Sequence, residues 1–273
     1  MTAIIKRLKQ TVMQPLAKQK TTRGAPALLY PISIPAKVHV SSFVRPGNGV
    51  ESFDAPGAIS INRARMACLF SLQLPLQGKT LLDVGCGVGH LAQFFVQQGC
   101  DVLCLDARLE NIDRLKTLYP GLKAQVFDLE KDSPIELGTF DIVFAFGLLY
   151  HLENPFSAVH KLAAAARELL LIETVVSDHP MPLVVMCEEP NAFNQAVDHI
   201  GCRPTPSFVA LALRSSGFPY VYAPRVLPDH PDFQVDWRSD LADAREGHLL
   251  RCLFVASRQP LANPNLISLL AKS

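Results

Sequence analysis

From residue 58 onward, the hydrophobic positions of the chain alternate between two patterns. Helices are predicted where apolar residues recur at helical spacing, at 59–73, 90–98, 109–118 and 155–166. Buried strands are predicted by short, nearly continuous apolar runs, at 80–84, 101–105, 124–127, 140–146 and 169–173. Strands that alternate with helices predict βαβ units and a parallel sheet. Because the strands lack a polar face, we expect helices to cover both faces of that sheet.

The alternation breaks after the fifth predicted strand. Residues 175–205 contain four prolines and many polar residues, with a helix-like piece at 192–199. A helix is predicted again at 206–215, and two apolar strands follow near 220–226 and 249–256. A segment inserted at this point lies over the carboxyl edge of a parallel sheet, where ligands bind. We therefore expect 175–205 to form a lid; the alternative is a solvated loop without ligand contact.

The first part of the chain differs in charge from the rest. Residues 1–50 carry eight Lys and Arg and no acid, whereas the remaining 223 residues carry 18 bases and 25 acids. We predict a basic arm and wrapping segment at 1–57, one α/β domain at 58–260 and a C-terminal tail at 261–273. A short basic amphipathic helix near the start is compatible with contact to a membrane, to nucleic acid or to the chain's own domain.

The composition narrows the class of protein. With 49% hydrophobic and 19% charged residues, the chain can bury a full core. Its apolar runs are far shorter than the roughly 20 residues of a membrane span, and no stretch near the start predicts a signal peptide. Seven scattered cysteines without a C-x-x-C pair predict reduced thiols in the cytoplasm. The polar residues of 175–205 fit no metal-ligand spacing, and no metal is expected.

The stretch LLDVGCGVGH, residues 81–90, ends a predicted strand and opens a helix. Its glycines bring the backbone close to a ligand at the N-terminus of that helix. The spacing Gly85-x-Gly87-x-Gly89 departs from the G-x-G-x-x-G fingerprint of dinucleotide sites. Asp83 stands two residues before the first glycine. A carboxylate there repels a pyrophosphate and attracts a ligand with an ammonium and a sulfonium, which predicts a cationic nucleoside.

This stretch resembles motif I of the class I S-adenosylmethionine (SAM)-dependent methyltransferases, and the resemblance runs from about residue 59 to 257. DVLCLDAR ends the second strand at Asp106, AQVFDLE ends the third at Asp128, and FDIVFAFGLLYHLENP is similar to the family's fourth-strand motif. The resemblance implies a Rossmann-like, doubly wound α/β fold. Its seven-stranded, mostly parallel sheet would have helices on both faces and an antiparallel last strand.

The resemblance also assigns SAM, and its product S-adenosylhomocysteine, to residues at the strand ends. Asp106, 21 residues after Gly85, would accept the ribose hydroxyls, and Asp128 would hold the adenine amino group. The alternatives are that Asp106 caps the next helix and that Asp128 belongs only to a turn. The predicted cofactor-binding residues are Asp83, Gly85, Cys86, Gly87, Gly89, Asp106, Ala107, Asp128, Leu129, Phe146 and Gly147.

Methyl transfer is an in-line displacement with a neutral leaving group, so a base is needed only when the acceptor starts protonated. His151, just past the fourth strand, is the predicted base, because its unperturbed pKa of about 6.5 suits that role. Tyr150 is predicted to orient the acceptor, and Glu173, at the end of the fifth strand, to contact the acceptor or a water beside it. Structural roles for these side chains are the alternatives.

The acceptor is narrowed by motifs that the chain lacks. There is no Asn/Asp-Pro-Pro-Tyr run, used on planar nitrogens, and no Pro-Cys nucleophile. GLLYHLENP resembles the small-molecule methyltransferases, which implies a small-molecule acceptor. With LLLIET it also resembles the bacterial enzyme that carboxymethylates a tRNA wobble uridine from carboxylated SAM, although that enzyme's Lys-Gly-Pro-Phe run is missing. A tRNA-modifying enzyme, a SAM-binding module without catalysis and a NAD oxidoreductase remain as alternatives.

Overall fold

A mostly parallel sheet forms the core of the described residues, and its first strand, β1 (Thr80–Val84), is a buried interior strand. The computed structural model describes residues 50–179, 181–189, 197, 199–233 and 250–269. The helices are α1 (Pro56–Ser71), α2 (His90–Gln97), α3 (Leu109–Leu118), α4 (Pro155–Ala165) and α5 (Pro206–Ser215). The strands after β1 are β2 (Asp101–Asp106), β3 (Lys123–Val126), β4 (Phe140–Phe146), β5 (Ala166–Val175), β6 (Val184–Glu188), β7 (Ile200–Pro204), β8 (Tyr220–Pro224), β9 (Arg251–Ser257) and β10 (Leu266–Ser268).

Eight strands of the described residues pair in the order β10-β8-β9-β5-β4-β1-β2-β3. β3, β2, β1, β4 and β5 run parallel, and β9 runs antiparallel to both of its neighbours. The predicted α/β fold is confirmed, with its mostly parallel sheet and an antiparallel strand at the end of the chain. The sheet has one strand more than the seven predicted, because three residues of the expected C-terminal tail, β10, pair with β8. A run of three residues is too short for a periodic pattern to indicate a strand.

Helices cover both faces of this sheet, as the apolar strands predicted. On one face, Leu82, Val143 and Leu170 pack with α4 and α5. Residues next to them in the chain, Leu81 and Phe144, point to the other face and pack with α1 and α2. Each central strand therefore supplies side chains to two cores in alternation.

The sheet order reverses between β1 and β4, because β2 and β3 extend from β1 in one direction and β5 from β4 in the other. Such a switch point opens a crevice at the carboxyl ends of the strands, where open α/β sheets bind ligands. The loops after β1 and β4, which hold the glycines and His151, both lie at this crevice.

The lid segment holds an element that the sequence did not predict. β6 and β7 form an antiparallel hairpin at its two ends, whereas most of the predicted helix-like piece at 192–199 lies outside the described residues. The hydrophobic pattern did not indicate β6, because its apolar run is short, is flanked by prolines and does not alternate between apolar and polar residues. Residues 1–49 of the predicted arm also lie outside the described residues, and residues 50–57 form a 3-10 turn and the start of α1. Within the described residues, every helix is too short or too polar to cross a bilayer.

Candidate active site

The glycine loop after β1 is held tightly against the end of β2. The N–H groups of Gly85 and Cys86 both donate to the Leu105 carbonyl, at 2.7 and 2.9 Å. The Gly87 N–H donates to Asp106 Oδ2 at 2.9 Å. Because these three N–H groups donate within the protein, they are not available to a ligand. This part of the loop can contact a ligand only by packing against it.

Gly87 is the position of the loop at which glycine is most clearly required. Its φ is +54°, and a Cβ atom built there lies 2.5 Å from Cε1 of Phe53. The Phe53 ring comes from the 3-10 turn Glu51–Asp54 before α1, and it lies over the loop at the wall of the cavity. A side chain at residue 87 would therefore meet both an unfavourable backbone conformation and an aromatic ring.

Two buried acids face the crevice beside this loop. Asp83 is 2% exposed, and its Oδ2 atom is buried without a hydrogen-bond partner among the described residues. Burial, and then the charge of Asp106, raises the pKa of Asp83 to about 8. Two acids close together in a desolvated site favour a cationic ligand. A positive charge there offsets both the repulsion between the carboxylates and the cost of burying them.

Asp106 is already held by three donors. Its Oδ2 accepts from Gly87, and its Oδ1 accepts from the Arg108 N–H at 3.0 Å and from Asn111 Nδ2 at 2.9 Å. Burial raises the pKa of Asp106, although these hydrogen bonds oppose the shift. The N-cap of α3 is Arg108, so Asp106 does not cap that helix directly. With about four lone-pair positions, its carboxylate retains capacity for a further donor.

Asp128 follows the third strand and takes part in a turn. Its Oδ1 accepts from the Glu130 N–H at 3.0 Å, and its Oδ2 contacts Lys131 Nζ at 2.7 Å. Asp128 and Leu129 also line the cavity. The turn role expected as an alternative is therefore present, together with a position at the cavity wall.

A chain of buried ion pairs contributes two arginines to the cavity lining. Glu173 is fully buried between two arginines, Arg65 from α1 and Arg251 from β9, and the Arg251–Glu173 contact is 3.1 Å. Arg251 Nε also contacts Asp232 at 3.3 Å. Both arginines line the cavity and Glu173 does not. Glu173 was expected to contact the acceptor, but its side chain does not reach the cavity. It instead holds Arg65 and Arg251, whose side chains do line the cavity.

The turn Leu149–His151 after β4 carries the predicted base. Nδ1 of His151 lies 2.7 Å from Glu189 Oε2, and no hydrogen bond to Nε2 is found among the described residues. Burial lowers the pKa of His151; the Glu189 contact opposes that shift, and the charges of Arg203 and Arg251 reinforce it. A neutral imidazole with one free nitrogen at a cavity wall is a competent general base.

Tyr150 lies beside His151, with ring centroids 4.0 Å apart. Two guanidinium groups approach its ring, Arg203 at 5.4 Å and Arg251 at 5.2 Å from the centroid. Arg251 Nη2 is also 3.5 Å from the Tyr150 hydroxyl. These contacts fix the phenol at the cavity wall, so its hydroxyl has a defined position for a bound molecule.

The hairpin β6–β7 packs on the same turn. Cys202 Sγ lies 3.3 Å from the Leu149 carbonyl, and Arg203 Nη1 donates to the Tyr150 carbonyl at 3.2 Å. At the base of the hairpin, the buried Thr205 hydroxyl donates to the Met181 carbonyl and accepts from the Leu183 N–H. The lid segment is thus fixed at its base and contacts the residues that follow β4.

Most of the predicted site residues meet at one cavity. Three of them do not line it: Gly87, Gly89 and Glu173. Gly89 is instead the N-cap of α2. The predicted residues that line the cavity are Asp83, Gly85, Cys86, Asp106, Ala107, Asp128, Leu129, Phe146, Gly147, Tyr150 and His151.

Sequence reasoning assigned no role to four side chains of this site: Phe53, Arg65, Glu189 and Arg251. Arg251 could have been found from the sequence, because it is a charged residue directly before the apolar run of β9. An arginine in a buried strand needs charged or polar partners. Nothing in the pattern distinguished Arg65 from the other polar residues of α1, or Glu189 from its neighbour Glu188.

Cys86 lies at the loop without a base beside it. A hydrogen bond with Cys104 and burial raise the pKa of its thiol well above the usual value. The thiol therefore stays protonated and takes the place of a small apolar side chain at the cavity wall. None of the seven cysteines, all of which lie in the described ranges, forms a disulfide, and no group of three or more potential metal ligands is found in those ranges.

Curated proteins similar to this chain include two kinds of enzyme. A ubiquinone biosynthesis O-methyltransferase of Bordetella avium (strain 197N) is 34% identical over 112 residues, 40% of this chain and 46% of that protein. A tRNA U34 carboxymethyltransferase of Pseudoalteromonas translucida (strain TAC 125) is 37% identical over 112 residues, 37% of this chain and 34% of that protein. The chain thus spans less than half of the length of these relatives.

Solved structures share the fold at low identity. The N-terminal domain of EvdMO1, crystallised in the presence of S-adenosylhomocysteine and D-fucose, has a TM-score of 0.55 at 20% identity, and the match covers 73% of this chain and 83% of that one. An S-adenosylmethionine-dependent methyltransferase from Mesorhizobium loti has a TM-score of 0.51 at 19% identity, over 73% of this chain and all of that one. These likenesses confirm the Rossmann-like architecture.

A family model described as a methyltransferase domain matches residues 59–223, which is more than half of the chain. The match begins in α1 and ends in β8, so it contains the glycine loop, the acids at or near the ends of the first three strands, the His151 turn and the hairpin. The chain belongs to the methyltransferase-domain family.

Proposed function

We propose that the protein binds SAM in this cavity and transfers its methyl group to a small-molecule acceptor. The observation that carries the proposal is Asp83, a carboxylate 2% exposed whose Oδ2 has no partner among the described residues. A buried acid without a partner is costly, and a bound cation offsets that cost. SAM supplies two positive charges, on its amino group and its sulfur.

The residues around the cavity fit the parts of this cofactor. Asp83 would hold the ammonium group, and Arg65, which also lines the cavity, offers a guanidinium for the carboxylate of the methionine part. Asp106, with its remaining lone-pair capacity, would accept from the ribose, while Asp128 and Leu129 would border the adenine. The relatives and the EvdMO1 domain support the assignment, since their names state methyl or carboxymethyl transfer or a bound SAM product.

The cofactor, when bound, supplies an activated methyl group. His151 holds the acceptor's proton on Nε2 when the acceptor is a weak acid, because Nδ1 is engaged by Glu189. Tyr150 orients the acceptor through its hydroxyl, whose position is fixed by Arg251. We propose the segment 175–205 as the lid that excludes water, and the contacts of β7 with the turn after β4 support that role.

The test of this function starts with the ligand carried through purification. Mass spectrometry of denatured protein is expected to release SAM or S-adenosylhomocysteine, and calorimetry is expected to show binding of added SAM. Absence of binding to protein confirmed as free of ligand would refute the proposal. A panel of phenols, carboxylic acids and amines, assayed with methyl-labelled SAM, then identifies the acceptor class.

The role of His151 is tested separately from cofactor binding. His151→Ala is expected to lower turnover by about 10²- to 10⁴-fold, the usual contribution of a positioned base, and to leave the Kd for SAM nearly unchanged. His160→Ala is the matched control, because His160 is half-buried away from the cavity and its ring hydrogen-bonds to the backbone of its own helix, at Phe156. Equal losses of turnover and SAM affinity in His151→Ala would show a structural role.

A second candidate is a tRNA-modifying transferase that uses carboxylated SAM. It is favoured by the 37% identity to a tRNA U34 carboxymethyltransferase and by the eight basic residues of positions 1–50. Release of carboxylated SAM in the mass spectrum, together with tRNA binding that weakens steeply with added salt, would favour this candidate over the first.

We also propose that the protein works in a reducing compartment, the cytoplasm. The seven unpaired cysteines support this, since oxidising compartments favour disulfides. Thiol alkylation in intact cells, followed by mass spectrometry, tests it: labelling of the two partly exposed thiols, Cys86 and Cys187, is expected, and disulfide-linked peptides would contradict it.

A further inference from the structure

The lid hairpin brings one carboxylate to the imidazole of His151. Glu189 follows β6 directly, and its side chain is 7% exposed. Its Oε2 lies 2.7 Å from His151 Nδ1, and its Oε1 lies 3.7 Å from Arg203 Nη1. A carboxylate only accepts hydrogen bonds, so this contact places the proton of a neutral His151 on Nδ1 and leaves the lone pair on Nε2.

The facing strand is shaped to admit this carboxylate. A Cβ atom on Gly201, in β7, would lie 2.6 Å from Glu189 Oε1 and 2.6 Å from the Tyr150 carbonyl oxygen. No real Cβ atom fits at these distances, and the Tyr150 carbonyl is backbone and cannot rotate away. Gly201 therefore leaves the room in which Glu189 reaches His151.

Charged groups from other elements also face His151. Glu189 contributes the negative charge, whereas Arg203 of β7 and Arg251 of β9 contribute positive charges, and Tyr150 packs against the ring. Burial and the arginines favour the neutral imidazole, and Glu189 favours the charged one. Without Glu189, His151 would be a weaker base with no fixed proton position.

We propose that Glu189 is a positioning residue, which fixes His151 as the Nδ1–H tautomer and stabilises its charged form after proton uptake. The inference rests on the proposed function for its catalytic consequence. In the step it supports, the acceptor X–H bond breaks and its proton moves to His151 Nε2. The freed electron pair of X forms the bond to the methyl carbon, and the electron pair of the sulfur–methyl bond remains on sulfur.

This placement couples the lid to the chemistry. Glu189 belongs to the hairpin and His151 to the turn after β4, so the base acquires its orienting partner only while the hairpin packs on that turn. The acceptor is a molecule with a weakly acidic O–H or N–H group, because an acceptor without a proton to lose would have no use for this pair.

The direct test is nitrogen-15 NMR of histidine-labelled protein, which needs neither cofactor nor acceptor. The ring nitrogen shifts of His151, assigned by comparison with His151→Gln, are expected to show the Nδ1–H tautomer in the wild type. In Glu189→Ala this preference is lost, and the pKa of His151 falls by about one unit or more. Glu189→Gln keeps an acceptor for Nδ1–H but loses the charge, so the tautomer persists while the pKa falls.

Glu188→Gln is the matched control, because the neighbouring Glu188 is exposed. Its His151 spectrum should equal that of the wild type. Gly201→Ala should reproduce the effect of Glu189→Ala, since the methyl group displaces the carboxylate without removing it. An unchanged tautomer and pKa in Glu189→Ala would overturn the proposal, whatever the outcome for SAM binding.

Turnover adds a second readout once an acceptor from the panel is identified. Glu189→Ala is expected to lower kcat about 10- to 100-fold, a part of the contribution of the base itself, and to leave the Kd for SAM unchanged. The acidic limb of the kcat–pH profile should move to lower pH in both Glu189 variants. A fall in kcat without that displacement would indicate only a structural role for Glu189.

Discussion

SAM binding should expel a proton from Asp83. In the free protein, burial and the nearby Asp106 raise the pKa of Asp83 to about 8, so at pH 6.5 this carboxyl is mostly protonated. An ammonium group, whose own pKa is about 7.7–8.0, is mostly charged at this pH. When it contacts Asp83, the ionised carboxylate is favoured and the pKa falls. If it falls below about 5, close to one proton leaves for each SAM bound.

The same linkage fixes how affinity depends on pH. Below pH 8, the cofactor has to displace a proton from Asp83, so the Kd for SAM decreases as the pH rises. Between pH 5.5 and 7.5 we expect affinity to increase roughly ten- to hundredfold. The Asp83→Asn variant has no proton to lose at this position, so its affinity should be weaker and nearly independent of pH.

Calorimetry at pH 6.5 in buffers of different ionisation enthalpy measures the protons released. The wild type should release close to one proton per SAM, and Asp83→Asn close to none. Asp128→Asn is the matched control, since Asp128 lies at the same cavity but pairs with Lys131; it should keep the release. No release from the wild type, or uptake of protons, would refute the assignment of Asp83 as the ammonium partner.

Three further predictions concern the loop and the sheet. Asp106→Ala should weaken SAM binding by about 1.5–3 kcal/mol through the loss of a charge-assisted contact, and unchanged affinity in calorimetry would contradict its ribose role. Gly87→Ala should lower the Tm and cost more than about 1 kcal/mol of stability, since φ is +54° and the Phe53 ring occupies the Cβ position; a Tm equal to that of the wild type would contradict the packing described. The pKa of Asp141 is lowered to about 2. Burial alone would raise this pKa, but hydrogen bonds to the carboxylate, the first of them from the Thr80 N–H, outweigh burial. Its stabilising contribution is therefore present above about pH 4 and lost as the pH falls toward 2, and urea unfolding of Asp141→Asn should show a smaller loss of stability over that range.

The sequence predicted the repetitive part of the fold well because that part depends on periodicity. Apolar strands alternating with helices located β1, β4, α3 and α5 at their observed bounds. The glycine loop was recognised from the spacing of residue types at the end of a strand. Both signals lie within about ten consecutive residues.

Features that depend on contacts between distant segments were not predictable in this way. Glu173 was expected at the acceptor because it ends the predicted fifth strand, 169–173. It is instead fully buried and paired with Arg251 and with Arg65, which is 108 residues away in the chain. Glu189 gained its place only through the hairpin, which no periodic pattern indicated. These contacts determine which carboxylates face the cavity and which ones hold other side chains.

The central claim is that the crevice at the switch point of the sheet binds SAM. A crystal structure of the protein with SAM tests it most directly. The SAM ammonium is expected within about 3 Å of Asp83, the ribose hydroxyls at Asp106, and the methyl group directed toward the side of the cavity that holds His151 and Tyr150. A cofactor bound elsewhere, or one whose amino group turns away from Asp83, would contradict it.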